Sequence, residues 1–387
     1  MVKKDNISKL LNSENSHIFY FWEELGEEEK KDLLEDVRRV DLKLVKKYYE
    51  NYINLKNKKI SFKPASYFSV SERTKKIKNI GDSALLNNEV AILTVAGGQA
   101  SRLGYDQPKG CFPITPLKSR SLFEVFAQKI QFYSIRYKKD IFWYIMTSES
   151  NYEQTKNFFE INKYFGLKRE GVIFFKQGML PTVTSDGKLI LKEKNRLFLN
   201  PDGHGGILTA LSKNNLFKDM KEKNIKYLSY FQVDNPLVDL LDSYFIGYHI
   251  LSKSEVTTKV VKKASPEEKI GTVVKNKKCN FVIEYSDLPE ENMFEKDDSG
   301  NFVYSMGSIG IHIFSVDFLQ KFTKRLEIHF ANKKVEGFNF DNNGSPEKKD
   351  IEAIKFETFV FDIVKLAKKS FFFETERIDD FAPLKNK

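Results

Sequence analysis

The sequence predicts an α/β fold: a doubly wound, mostly parallel sheet with a helical N-terminal segment and a smaller β region toward the C-terminal side. Three observations carry that prediction. Apolar runs at Val90 to Val95, Ile141 to Thr147, Val172 to Lys176 and Tyr227 to Val233 alternate with amphipathic helical stretches at 121–135 and 206–216. The first run leads directly into a glycine-rich turn, Ala96-Gly97-Gly98-Gln99, and the fourth ends on Asp234-Asn235. In sheets of this kind ligands bind beyond the carboxyl ends of strands, where the strand order reverses, so both turns are candidate binding elements.

Taken in order, residues 1–85 form a helical N-terminal region. Leu33, Val37, Val40, Leu44 and Tyr48 recur at spacings of three and four, an apolar stripe expected to pack on its own domain. Residues 86–387 follow as one α/β domain carrying the alternating strands and helices, with no separate C-terminal domain expected. Beyond residue 255 the runs shorten to Thr257–Lys262, Gly271–Lys275 and Phe281–Tyr285, the last two joined by an Asn- and Lys-rich turn that predicts a hairpin. Residues 336–349 are mostly polar, contain Asn-Asn-Gly-Ser-Pro, and are expected to be a loop. Lys355 to Lys369 is expected to be an amphipathic helix, and Phe371 to Thr375 a strand.

Composition narrows the class. The 387 residues suffice for a large core, and 41% apolar with 30% charged residues describes a globular chain. Lys+Arg 63 against Asp+Glu 53 gives a net charge of +10, scattered along the chain, which suits anionic small substrates. No basic stripe interleaved with aromatics points to nucleic acid. Cys111 and Cys279 are too few for a disulfide framework and stand in no metal-ligand cluster. No apolar signal core or bilayer-length run occurs, so a cytoplasmic protein without a membrane partner is expected. Asn6-Ile7-Ser8 and Asn343-Gly344-Ser345 match the glycosylation pattern and are taken as chance matches.

The first glycine-rich turn carries the most chemistry. Gly97 and Gly98 allow backbone amides to approach an anion, and Arg102 and Lys109 follow with charge to offset a polyphosphate. Its spacing is neither that of a dinucleotide-binding fingerprint nor that of a P-loop. A second glycine-rich loop, Asn200-Pro201-Asp202-Gly203-His204-Gly205-Gly206, opens a helix whose amides suit carbonyl or phosphate oxygens; a simple turn accounts for it equally well in isolation. Gln177 ends a strand and can read a base edge with its amide. Asp234 can hold a phosphate-bound Mg²⁺, which needs only one or two carboxylates, or can cap the following turn.

With those motifs assembled, the chain resembles the eukaryotic UDP-N-acetylglucosamine pyrophosphorylases of the UDP-sugar pyrophosphorylase family. The resemblance rests on Ala96-Gly97-Gly98-Gln99 with Arg102-Leu103-Gly104, Pro108-Lys109-Gly110, Pro201-Asp202-Gly203 with Gly205-Gly206, and Val233-Asp234-Asn235. It continues through Val282-Ile283-Glu284-Tyr285-Ser286, Phe359-Val360-Phe361-Asp362 and Asp380-Phe381-Ala382-Pro383-Leu384-Lys385-Asn386. It implies a Rossmann-like nucleotidyltransferase fold of the glycosyltransferase-A type, with the smaller β region on the sugar side. Val95, Ala96, Gly97 and Gly98 would hold UTP, and Gln177, Gly203 and His204 would meet its nucleoside. Arg102, Lys109 and Lys385 would act on the phosphates, with Lys355 also at a phosphate. Gly271, Glu284, Tyr285, Ser308, Phe359 and Phe361 would line the sugar, and Asp234 would hold Mg²⁺, or Mn²⁺ in its place.

The implied reaction joins UTP and N-acetylglucosamine 1-phosphate into UDP-N-acetylglucosamine and pyrophosphate, by a monomer that needs no nucleic acid. The alternatives are a UDP-glucose or broad UDP-sugar pyrophosphorylase and a non-catalytic nucleotide-sugar sensor. Departures from the family pattern fall at Ala100, Ser101, His204 and Ser308, where Gly, Thr, Asn and Asn are usual. Ala100 would resist a positive φ, and Ser308 shortens a sugar contact. Family members generally continue past the position of Lys385 into a further domain.

Overall fold

The computed structural model describes residues 14–54, 61–322, 326–340 and 344–386. Asn6 and Asn343 lie outside these. The chain's contacts divide into two units, one from Met1–Lys59, Gly178–Gly206 and Leu326–Phe359, the other from Ile60–Gln177, Ile207–Arg325 and Val360–Lys387. The boundary expected near residue 85 coincides with no boundary between them. The helix Lys75–Leu86 belongs to the second unit, where Asp82 accepts from Tyr137 Oη at 2.7 Å and from Ser243 Oγ at 2.6 Å.

The second unit is built on a large mixed sheet. Along its main path the strands run Tyr67–Phe68, Ser370–Glu374, Val256–Lys262, Met306–Ser315, Tyr227–Gln232, Val90–Val95, Trp143–Thr147 and Val172–Lys176. Every neighbouring pair on this path is parallel except the two made by Met306–Ser315. Continuous apolar runs suit strands covered on both faces, and Ile92, Leu93, Trp143, Ile145 and Phe231 are wholly buried. The helix Leu122–Tyr137, capped by Ser121 Oγ at Glu124 N, crosses between the first two of the expected strands and buries Phe123, Phe126 and Ile130. After Val90–Val95 the chain builds outward to Trp143–Thr147 and Val172–Lys176, then returns to place Tyr227–Gln232 on the opposite side. The order therefore reverses between Val95 and Gln232, which are register partners.

The hairpin expected around residue 278 forms from Thr272–Lys275 and Asn280–Ile283. It does not belong to a small sheet of its own: it hangs from the large sheet through Thr272 opposite Gly307, and Val256–Lys262 is an interior strand of that sheet. The smaller sheet is elsewhere. In the first unit Val183–Thr184, Pro346–Thr358, Ile328–Phe340, Leu191–Glu193 and Arg196–Leu197 pair antiparallel in that order.

Two expectations fail in that sheet. The 336–349 loop is instead strand at 336–340 and 346–349, the ends of two long antiparallel arms in register from Ile328 opposite Thr358 to Phe340 opposite Pro346, and 341–343 lie outside the described residues. Its polar residues stand on an exposed face and pair across the strands, as Lys334 does with Glu352 at 3.5 Å. The helix expected over 355–369 is instead the end of the strand Pro346–Thr358 followed by a 3₁₀ turn, Val360–Leu366. Ile351, Ala353, Ile354 and Phe356 are buried with Leu180, Leu191 and the N-terminal helices, so pairing and burial override local helix propensity. The N-terminal stripe packs on its own unit as expected, but as two helices, Glu27–Arg39 and Leu42–Ile53, with Asp41 capping the second at Leu44 N. That break resets the phase, so Val45 is buried in place of Leu44.

Candidate functional site

The switch in strand order gathers most of the expected nucleotide residues at one sheet edge. Val233 N donates to Val95 O at 3.0 Å and Ala96 N to Met146 O at 2.7 Å, so the ladder runs one residue beyond each strand before the loops begin. Asn151 Nδ2 donates to Ala96 O at 3.0 Å while its Oδ1 accepts from Ser148 N at 2.9 Å. Gln177 N reaches Thr147 O at 2.9 Å, which brings its side chain over Gly97. A Cβ on Gly97 would stand 2.3 Å from Gln177 Oε1, whereas one on Gly98 would meet nothing within 4 Å. A glycine at 97 therefore leaves Gln177 in this position, from which a methyl would push its amide, and Gly98 leaves an exposed stretch of backbone.

The rest of the loop folds back on itself. Lys109 N donates to Gly98 O at 3.0 Å and Ala100 N to Gln107 O at 3.2 Å. Ala100 is fully buried with φ −97° and ψ 24°, so its methyl is accommodated without strain. The left-handed position falls on Gly104, at φ 66°. Arg102 is exposed and pairs with no carboxylate among the described residues. Cys111, beside the loop, is buried, and burial pushes its thiol up to about 12, so it is an inert packing residue at neutral pH.

Asp234, Lys109 and Lys385 form one electrostatic group. Lys109 Nζ stands 4.0 Å from Asp234 Oδ2 and donates to Leu384 O at 3.3 Å. Burial raises the Asp234 carboxyl above the usual carboxylate range, outweighing Lys109 and Lys385, which pull it down. The C-terminal segment is stitched to this loop: Leu384 N donates to Asp234 O at 2.7 Å, Ala382 N to Asn235 Oδ1 at 3.1 Å, and Asn235 Nδ2 to Asp380 O at 2.6 Å. Asn235, Asp380 and the Leu384 carbonyl were not singled out from the sequence. Their signal is present only as neighbours of Asp234 and Lys385 within shared motifs.

A second group in the same unit surrounds the 272–283 hairpin. Ser308 N donates to Gly271 O at 2.8 Å, and a Cβ on Gly271 would lie 3.3 Å from Ile283 O, the residue before Glu284. Gly271, Glu284 and Ser308 are thus brought together. Tyr285 is 41% exposed and follows the strand end, and Phe361 is half-buried in the 3₁₀ turn.

Gly203, His204, Phe359 and Lys355 belong to the first unit. Gly203 has φ 84°, and Thr358 N and Oγ1 both donate to Asp202 O, at 2.8 and 2.7 Å. The loop is so close to this strand end that a Cβ on Gly203 would lie 2.3 Å from Thr358 O. His204 stacks on Phe359 at 5.2 Å between centroids, and His329 lies on Phe359 at 4.4 Å. Replacing an amide by imidazole therefore fits this loop through ring packing. Lys355 Nζ donates to Glu357 Oε1 at 2.6 Å.

Among the described residues no group of three or more His, Cys, Asp or Glu could cage a metal ion, and no helix is long and apolar enough to cross a membrane. A cation carried in on phosphates asks less of the protein, and one half-buried carboxylate flanked by lysines that also attract phosphate fits that demand.

The model of the UTP–glucose-1-phosphate uridylyltransferase family matches residues 42–387. A relative in Dictyostelium discoideum named "Probable UDP-N-acetylglucosamine pyrophosphorylase" is 36% identical over 394 residues, covering 96% of this chain and 81% of its own. The UDP-N-acetylglucosamine pyrophosphorylase of Saccharomyces cerevisiae is 31% identical over 408 residues, covering 99% of this chain and 86% of its own. The crystal structure of the uridine diphosphate N-acetylglucosamine pyrophosphorylase from Trypanosoma brucei in complex with inhibitor is 27% identical with a TM-score of 0.81, over 98% of this chain and 80% of that one.

Proposed function

The chain belongs to the UTP–glucose-1-phosphate uridylyltransferase family, and from that membership we propose that it makes UDP-N-acetylglucosamine and pyrophosphate from UTP and N-acetylglucosamine 1-phosphate. The observation that carries the reading is near-full-length similarity to relatives named for this activity, joined to a sheet edge where Gly97, Gln177, Lys109, Asp234 and Lys385 converge.

In this reading a phosphate oxygen of the sugar 1-phosphate attacks the α-phosphorus of UTP in line. The new P–O bond forms as the bond to the β-phosphate oxygen breaks, and that oxygen leaves with the electron pair as pyrophosphate. The nucleophile is already anionic at neutral pH, so no general base is required. The protein's task is to hold two repelling anions in line and to stabilise the charge gathering on the leaving group. Arg102, Lys109 and Lys385 supply positive charge there, and the exposed amides of the Gly97–Gly98 turn supply donors. Gln177 reads the uracil edge, and Gly203 and His204 contact the nucleoside. Lys355 meets a phosphate group. Gly271, Glu284, Tyr285, Ser308, Phe359 and Phe361 contact the sugar. Asp234 holds Mg²⁺, or Mn²⁺, which when bound neutralises phosphate charge. The protein acts in the cytoplasm as a monomer.

Pyrophosphate release from UTP and Mg²⁺ with each sugar 1-phosphate in turn tests this reading. The expected result is greatest release with N-acetylglucosamine 1-phosphate. Preference for glucose 1-phosphate would replace the sugar assignment, and nucleotide-sugar binding without release would replace the enzyme with a sensor.

A further inference from the structure

Lys259 lies on the interior strand Val256–Lys262 with no exposed surface, the only buried lysine among the described residues. A lysine is almost never fully buried unless it is paired. Its ammonium stands 2.6 Å from Asp380 Oδ2 and 3.0 Å from Asp242 Oδ2. Burial works against the charge, and Asp242, Asp380 and Asp239 together outweigh it, so Lys259 stays protonated. An apolar side chain would fill such a space with no desolvation cost, so packing alone does not account for the charge.

The two carboxylates lead in different directions. Asp242 caps the helix Ser243–Leu251 by accepting from Tyr244 N and Phe245 N, and so ends the loop that begins at Asp234. Asp380 starts the C-terminal segment. Its Oδ1 accepts from Asp239 N at 2.9 Å, its Oδ2 from Thr375 Oγ1 at 2.5 Å, and its carbonyl from Asn235 Nδ2 at 2.6 Å. From there the segment runs along the loop to Leu384, which bonds Asp234 through its N–H and Lys109 through its carbonyl. The next residue is Lys385. Lys259 thus ties the far end of the Asp234 loop to the root of the segment that carries Lys385.

We propose that Lys259 is a positioning residue for uridylyl transfer: by holding Asp380 against the 234–242 loop, it sets Lys385, and Lys109 through the Leu384 carbonyl, around Asp234. The proposal rests on the roles given above to Lys109, Asp234 and Lys385.

The test is a double-variant cycle on the full chain with Lys259→Met, Lys385→Ala and both together, reading kcat and the KM for UTP, with thermal unfolding as the check on folding. Lys259→Met is expected to lower kcat about 10- to 100-fold while the KM changes less than about 3-fold, and to cost clearly less in the Lys385→Ala background than alone, the remaining loss being the part that acts through Lys109. If Lys259→Met does not fold, Thr375→Val, which removes one contact to Asp380, is expected to show the same non-additive pattern with a loss of about 3- to 10-fold. Losses that multiply, or an unchanged kcat in the folded variant, would overturn the proposal while leaving the site assignment standing. Normal turnover in Lys385→Ala would overturn the site assignment and the proposal with it.

Discussion

The Lys109 ammonium stands 4.0 Å from the Asp234 carboxylate, near enough for attraction and too far for a hydrogen bond. Its nearer partner is the Leu384 carbonyl, so neither charge is consumed by the other. A cation held this way is ready for a phosphate oxygen. Lys109→Ala is expected to lower kcat by about 10²- to 10³-fold, the scale of a lost transition-state donor, in a pyrophosphate-release assay. Near-normal turnover would remove Lys109 from the mechanism.

Gly97 and Gln177 make a second prediction. A methyl at residue 97 would fall 2.3 Å from Gln177 Oε1 and displace that side chain, which is flexible enough to move without unfolding the loop. Gly97→Ala is expected to raise the KM for UTP about tenfold, the worth of one hydrogen bond, with a smaller change in kcat. Steady-state kinetics against UTP measure both, and an unchanged KM would argue against base reading by Gln177.

The thiols should separate cleanly. Burial pushes Cys111 up to about 12, leaving about one molecule in 10⁴ as thiolate at pH 8, whereas Cys279 is half-buried at the hairpin turn. Mass spectrometry after brief iodoacetamide treatment is expected to find the label on Cys279, with Cys111 labelled only after unfolding. Activity should survive the first modification. Rapid labelling of Cys111 in the folded protein would contradict its buried placement.

His249 supplies a pH dependence. Burial lowers its pKa to about 3, and its ring nitrogens bond Thr257 Oγ1 at 2.8 Å and Ser315 Oγ at 2.9 Å. The folded value lies below the unfolded one, so the unfolded chain takes up a proton first as pH falls. The stability tied to this group is therefore complete above about pH 6.5 and lost as pH drops toward 3, by about 1.4 kcal/mol per unit. Urea unfolding at pH 7, 6 and 5 should show a shallower decline for His249→Asn than for the parent. Parallel curves would exclude His249 as the source.

Legibility in the sequence followed the range of the interactions. The strands at 90, 143, 172 and 227 were readable because burial on both faces leaves continuous apolar runs, and the Gly97, Asp234 and Lys385 motifs because each is local. The paired arms 328–340 and 346–358 were not readable. They are polar on one face, and what makes them strands is pairing with each other and burial of Ile354 and Phe356 beside helices far away in sequence. Ala100 was readable because its constraint is local: its methyl demands a compatible backbone, and the structure gives it φ −97° while the positive φ falls on Gly104.

The sequence by itself determined the fold class and the chemical types at the candidate site, since strand periodicity, turn glycines and charged residues act within a few positions of one another. Only the tertiary structure decided which of them meet. Lys109, Asp234 and Leu384 converge because adjacent parallel strands deliver two loops to one edge and a distant C-terminal segment is hydrogen-bonded against them. Lys259 lies inside the protein because two carboxylates there balance its charge, a relation that no local pattern encodes.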